Sequence, residues 1–178
     1  MGKIVSNFFI ALDGVVEAPE SWHMSYINDE MMAVIGAAME ANQAFLMGRA
    51  GYDGFSEYWQ ANADEPYASY FNDIPKYVIS STLQDPTWKN TTVVRGDVRA
   101  VQEMKDSVDG VIFMTGSAIT VRWLLEHGLL DELRLMMHPV AVGSGQKLFE
   151  DGPATKLELV RSATFSSGVL DLVYRPAS

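Results

Sequence analysis

The chain has 178 residues and no cysteine. Disulfides, thiolate metal sites and a cysteine nucleophile are therefore excluded, and the composition fits a reducing, cytoplasmic compartment. Basic charge is scarce: 13 Lys and Arg stand against 23 Asp and Glu, a formal net charge of −10 at pH 7. No stretch is strongly basic, so neither nucleic acid nor an anionic membrane is expected as a partner. An anionic ligand must be met by local devices such as a helix end or a single arginine. No apolar run is long enough to cross a bilayer. The one leader-like stretch, IVSNFFIAL after Lys3, is interrupted by Ser6 and Asn7 and ended by Asp13-Gly14. It reads as a first strand rather than a signal peptide. The three histidines lack metal-ligand spacing, so no metal site is expected. The G-x-G-x-x-G dinucleotide fingerprint is also missing, which excludes a standard Rossmann domain.

What is present is an ordinary soluble composition, 48% hydrophobic and 20% charged, in a length suited to one domain over residues 1–178. The chain is organised around VIFMTGSAITVRWLLEHGLLDELRLMMHPVAVGSG, Val111 to Gly145. Val111–Thr115 is an apolar run too short for a buried helix and predicts a strand covered on both faces. Ala118, Val121, Leu124 and Leu125 then share one helical face, with Ser117 as N-cap and Gly128 ending the helix in a Schellman turn. A second apolar run, Leu133–Val142, completes a strand–helix–strand unit, expected as a parallel pair. Its turn aims the backbone N–H groups of Gly116, Ser117 and Ala118 beyond the strand end, where an anion can dock.

The rest of the chain continues the alternation. Strands are expected at Ile4–Leu12, Ala44–Met47, Lys76–Ser80 and Thr91–Arg95. Helices are expected at Asp29–Ala41 behind an Asn28 N-cap, over Tyr52–Gln60, in a short turn at Pro66–Phe71, and from Asp97 to Ser107. Val15–Ser25 has no period and reads as a long, functional loop. Leu157–Phe165 and Val169–Tyr174 alternate around Ser166–Gly168 and predict an antiparallel hairpin. The fold class is α/β, with a mainly parallel sheet and an antiparallel C-terminal edge.

In open α/β sheets, ligands gather at the carboxyl ends of the strands. Gly116-Ser117 offers backbone donors there. Gly48-Arg49 adds a guanidinium that can fork onto a phosphate. Ser80-Ser81-Thr82 offers three hydroxyls in a row, and Arg95-Gly96 ends a neighbouring strand. Together they suit a ligand with more than one phosphate, of which a dinucleotide is the simplest.

The ordered set FIALDGVVEAPESW, FLMGRAGYDGF, PKYVISSTL, VIFMTGSAITVRWLLEHGLLDELRL, HPVAVGSGQKLF and SSGVLDLVYRP covers nearly the whole chain. It resembles the dihydrofolate reductase superfamily, in the branch related to the reductase domain of the bifunctional riboflavin-biosynthesis deaminase–reductase. The resemblance implies a three-layer α/β/α dihydrofolate reductase-like fold, a homodimer and an NADPH cleft. In that cleft Gly48, Arg49, Ser80, Ser81 and Thr82 would surround the 2′-phosphate. Gly116, Ser117, Ala118 and Ile119 would hold the pyrophosphate, and Val15–Ser25 would close over the nicotinamide as a lid. The family's Gly-Arg-x-Thr is here Gly48-Arg49-Ala50-Gly51, and the acidic residue before the Gly-rich turn is replaced by Met114-Thr115. Asp13, after the first strand, is the candidate proton donor, or else a turn residue. Trp22 walls the substrate pocket or anchors its loop, and Glu30 contacts substrate or simply opens its helix. The expected function is NADPH-dependent hydride transfer to a small flat heterocycle; the alternative is a nucleotide-binding module of the same fold. Phe55, Tyr58, Trp59, Tyr67, Tyr70 and Phe71 form an aromatic group expected partly on the surface, where exposed apolar patches mark interfaces.

Overall fold

A computed structural model describes residues 1–150 and 154–177. Its centre is β1 (Lys3–Ala11), with β5 (Val111–Thr115) on one side and β6 (Glu132–His138) on the other, both parallel to it. β2 (Asn42–Gly48), β3 (Lys76–Ile79) and β4 (Thr91–Val94) extend the sheet beyond β5, also in parallel. β8 (Leu170–Pro176) and β7 (Leu157–Thr164) close the other edge antiparallel. The order across the eight-stranded sheet is β4-β3-β2-β5-β1-β6-β8-β7.

This order corrects one expectation. β5 and β6 run parallel, but they are not a pair, because β1 lies hydrogen-bonded between them. The crossover spans one strand position, and β1, buried along most of its length, fills the gap. β6 also stops at His138 rather than reaching Val142, since Pro139 has no N–H with which to continue the ladder.

The helices fall on two faces. α4 (Val98–Ser107) and α5 (Ala118–Glu126) cover one, meeting Ile4, Phe8, Ile10, Ile112, Met114, Leu133 and Leu135. α1 (Asp29–Ala41), α2 (Arg49–Ala61) and α3 (Ala68–Asp73) cover the other. Local signals set their ends. Asn28 caps α1 by accepting from the Met31 N–H, and Asp97 caps α4 by accepting from that of Ala100. α5 ends as its sequence requires: Gly128 adopts φ 65°, its N–H donates to Leu125, and the Leu129 N–H donates to Leu124. Asp131 ties α4 to β1, accepting from the Ile4 N–H and pairing with Lys105.

Most of the aromatic group is half-buried against the core. Phe55, Trp59, Tyr70 and Phe71 pack against Phe45, Tyr52, Trp88 and Phe113, while Tyr58 and Tyr67 stay exposed. The amphipathic α2 turns most of its aromatic face inward, which leaves Tyr58 and Tyr67 as the exposed members of the group.

Candidate active site

The strand ends form a rim. β2, β3 and β5 end on the same side of the sheet because they are parallel neighbours. At the end of β5, Gly116 and Ser117 have φ of 74° and 59°, successive left-handed residues of which the second is not glycine. Such a conformation persists only where its surroundings over-determine it. Ser117 Oγ accepts from the Thr120 N–H and shares a 2.6 Å hydrogen bond with the Thr120 hydroxyl. Gly48 lies against this turn: a Cβ there would sit 2.7 Å from Thr120 Oγ1 and 3.3 Å from Ser117 Oγ. Glycine at 48 thus lets the β2 end approach the first turn of α5. Ala118 is buried beneath the turn, and Ile119 stands exposed on its outer side.

Arg49 opens α2. Its Nε donates to Asp53 at 2.9 Å and its Nη1 to Thr82 Oγ1 at 3.4 Å, so the guanidinium bridges the ends of β2 and β3. Ser80 is buried, and its hydroxyl accepts the N–H groups of Thr82 and Leu83. It shapes the turn, leaving Ser81 and Thr82 exposed. Arg95 is exposed one residue after Val94, whose carbonyl accepts from the Ser80 N–H.

Beside the rim, a cavity of ≈ 240 Å³ opens between α1, α3 and the sheet. Val34, Ile35, Ala38 and Met39 of α1 form one wall, and Tyr70, Phe71 and Phe113 another. The sheet beneath is polar along one register line: Thr115 is opposite Asn7, Asn7 opposite Arg134, and Arg134 opposite Val173, which faces Arg161. All but Val173 line the cavity, as does Asp171 from the next line. Rim and cavity meet at the end of β5, where Thr115 lines the cavity and Gly116 begins the rim turn.

The loop after β1 covers the adjoining part of the sheet. Its base is tied to Gly143–Leu148. Asp13 accepts from the Gly143 N–H at 2.7 Å, Glu17 accepts from the Gln146 N–H, and Val15 bridges to Lys147. Its tip makes two short 3₁₀ turns, Pro19–Ser21 and Met24–Tyr26. Between them His23 stacks on Phe9 at 4.4 Å and meets His138 edge-on at 5.9 Å, with Trp22 and Tyr26 also against His138. Burial pulls the pKa of both histidines below the ordinary 6.5; the His138 imidazole adds to this for His23, and Glu20 opposes it. His138 Nδ1 lies 2.8 Å from the Met136 carbonyl, so it carries the proton and Nε2 remains buried without a partner.

For three expected residues the bonds agree with the second of the two roles the sequence offered. The Gly143 N–H holds the Asp13 carboxyl below its ordinary value, which suits a clasp and not a proton donor. Glu30 accepts from the Ser166 N–H and hydroxyl and from Asn28, tying α1 to the β7–β8 turn away from the cavity. These bonds, the Ser166 hydroxyl first, lower its pKa too. Trp22 donates from its indole to the Glu17 carbonyl and anchors the loop on His138. The sequence reading missed the polar line on the cavity floor. A signal existed for part of it: in the alternating segment VLDLV, Val169, Asp171 and Val173 all fall on the inward face.

The RibD C-terminal domain family matches residues 2–170. The chain belongs to that family. Its fold is dihydrofolate reductase-like, a reductase-type scaffold. A protein named for riboflavin biosynthesis from Shewanella sp. PV-4 superposes with a TM-score of 0.78 at 18% identity, over 99% of both chains. A pyrimidine reductase-like protein from Corynebacterium diphtheriae gives 0.66 at 12% identity, covering 99% of this chain and 92% of its own. Dihydrofolate reductase from Enterococcus faecalis, complexed with NADP(H) and RAB-propyl, gives 0.67 at 15% identity, covering 99% and 97%. Among curated sequences, the uncharacterized protein YyaP of Bacillus subtilis (strain 168) is 28% identical over 177 residues, 97% of this chain and 94% of its own. In this RibD C-terminal domain, no helix of the described residues is long and apolar enough to cross a membrane, and they contain no cluster of three metal-ligating side chains.

Proposed function

We propose that this protein is an NADPH-dependent reductase of a small, flat, conjugated heterocycle, pterin-like or another C=N compound. The observation that carries the reading is the junction at Thr115 and Gly116, where a donor-rich rim and an apolar cavity share one strand end. A dinucleotide on the rim and a flat acceptor in the cavity would meet there. The names of two structural neighbours, a pyrimidine reductase-like protein and a dihydrofolate reductase bound to NADP(H), agree with it.

The rim residues fit the cofactor. Gly48 lets the end of β2 lie against the first turn of α5, and the first-turn N–H groups of α2 and α5 that have no helical partner can take phosphate oxygens. Arg49, Ser81 and Thr82 would meet the 2′-phosphate, with Arg95 alongside. Gly116, Ser117, Ala118 and Ile119 would hold the pyrophosphate, while Ser80 shapes the turn. Bound NADPH supplies the hydride. The chain's part is to align the two rings and exclude water, with the Asp13-clasped loop as the cover. The test is NADPH oxidation, followed at 340 nm as an assay wavelength of about that value, against a panel of pterins, pyrimidines and cyclic imines. Turnover of at least one member is expected. NADPH binding without turnover of any would leave a nucleotide-binding module, and no NADPH binding would overturn the reading.

A further inference from the structure

We propose that Asp53 sets the cofactor preference of the rim: it tempers the pull of Arg49 on a 2′-phosphate, so that NADH is bound as a second ligand beside NADPH. This rests on the reading of the rim as a nicotinamide cofactor site, and it adds a residue that the reading leaves out.

Arg49 is the first residue of α2, and Asp53 stands one turn further on. Arg49 Nε lies 2.9 Å from both oxygens of Asp53, and Nη1 donates to Thr82 Oγ1 at 3.4 Å. A guanidinium can fork onto a phosphate by its Nε–Nη2 edge or by its Nη1–Nη2 edge. Asp53 occupies the first of these. A 2′-phosphate must therefore displace the carboxylate or take the other edge with the carboxylate still in place. In either case a group of charge about −1.5 to −2 shares one guanidinium with a second anion, and that repulsion costs affinity. A ribose 2′-hydroxyl meets no such cost. It is uncharged, and it has a hydrogen that a carboxylate can accept. The pair thus joins the group that favours a 2′-phosphate to the group that favours a 2′-hydroxyl.

Helix stability does not account for the pair. A cation in the first turn opposes the positive end of the helix dipole. An acid four residues after its base, rather than four before, is the weaker order for a helical ion pair. Both side chains are about half exposed, at 45% and 53%, so the bridge adds little to the fold. Its place is beside the exposed Ser81 and Thr82, at the end of the sheet where the rim lies. The chain's net charge of −10 already repels a phosphate, and Asp53 adds to that field at the point of contact. Arg49 draws the phosphate in, and Asp53 limits by how much.

Calorimetry on the full chain with NADPH, NADH, adenosine 2′-monophosphate and adenosine tests this. Asp53→Asn removes the charge and keeps an oxygen for Arg49 Nε. It should raise the ratio of NADPH to NADH affinity about tenfold, by tightening NADPH and leaving NADH within about twofold. Adenosine 2′-monophosphate should gain as NADPH does, and adenosine should not change. At about 1 M salt, where screening acts over roughly 3 Å, the gain should shrink to about twofold. Asp53→Glu keeps the charge and should stay near wild type; a gain as large as that of Asp53→Asn would overturn the role given to charge. An unchanged or lower ratio in Asp53→Asn would overturn the proposal and make Asp53 a support for Arg49. With NADPH still bound, that result sinks this inference alone. A gain for adenosine 2′-monophosphate without binding of either nicotinamide cofactor sinks the reductase reading alone. No gain and no cofactor binding sinks both.

Discussion

The rim and the cavity are built by different means. The rim is made of short contiguous pieces, Gly48-Arg49, Ser80-Ser81-Thr82 and Gly116-Ser117, each following its own strand. Parallel pairing alone brings them together. The cavity takes residues from six strands and two helices, and its polar line, Thr115, Asn7, Arg134 and Arg161, exists only once the strands are in register. The rim is open, with Arg49, Ser81 and Thr82 exposed, while the cavity places Asp171 beneath apolar walls. A local device for phosphates can be written in consecutive residues, whereas a shape for a ring must be assembled across the sheet.

The comparison is broken most sharply at Gly48. In Gly48→Val the new side chain would enter the space of Thr120 and Ser117. NADPH affinity should fall by roughly a hundredfold or more, while cavity ligands bind as before. Parallel calorimetric titrations check this, and an equal loss on both sides would mean that rim and cavity are one unit.

The reverse break is Ala38→Phe, which directs a ring into the cavity from α1. Reduction of any heterocycle should be lost, with NADPH affinity within about twofold of wild type. Steady-state rates and a cofactor titration together test it; retained turnover would place the acceptor elsewhere.

These differences explain what could be read from residues alone. The helix from Asp29 to Ala41 was legible because Asn28 caps it and its apolar positions recur at helical spacing. The strand Val111–Thr115 and the Schellman ending at Gly128 were legible for equally local reasons. The place of β1 between β5 and β6 was not, since nothing in a strand's sequence names its neighbours. Glu30 was open to two roles because position on a helix does not reveal that Ser166, 136 residues away, will claim its oxygens. Arg161 was hidden by the bulge at Val160, which reverses the parity that alternation would assign. That His138 would meet His23 of the loop after β1 was likewise hidden, since the two are far apart in the chain.

That histidine pair gives the smallest effect expected. Burial lowers both pKa values below 6.5, so a loop released from this packing would bind protons more readily than the packed one in the window below that value. The packing of the loop is therefore expected to be strongest above pH 6.5 and to weaken as the pH falls through the lowered values. The groups facing the pair are Glu20, Tyr26, Phe9 and Trp22, of which Glu20 alone partly offsets the shift of His23. Hydrogen exchange in residues 18–26 should quicken between pH 7.5 and 5 after correction for the intrinsic rate, as an acidic range of about that span. The change should disappear in His23→Phe. A pH-independent segment in wild type would mean that the lid is not held by neutral imidazoles.

The central claim is that the rim holds a nicotinamide cofactor by its phosphates, with the 2′-phosphate on Arg49. Calorimetry with NADPH and NADH on wild type and Arg49→Ala tests it most directly. The account expects NADPH to bind wild type at about one per chain and more tightly than NADH. Removing Arg49 should weaken NADPH by about ten- to a hundredfold, the worth of a charge-assisted hydrogen bond, and leave NADH nearly unchanged. Equal losses for the two cofactors, or no NADPH binding to wild type, would contradict it.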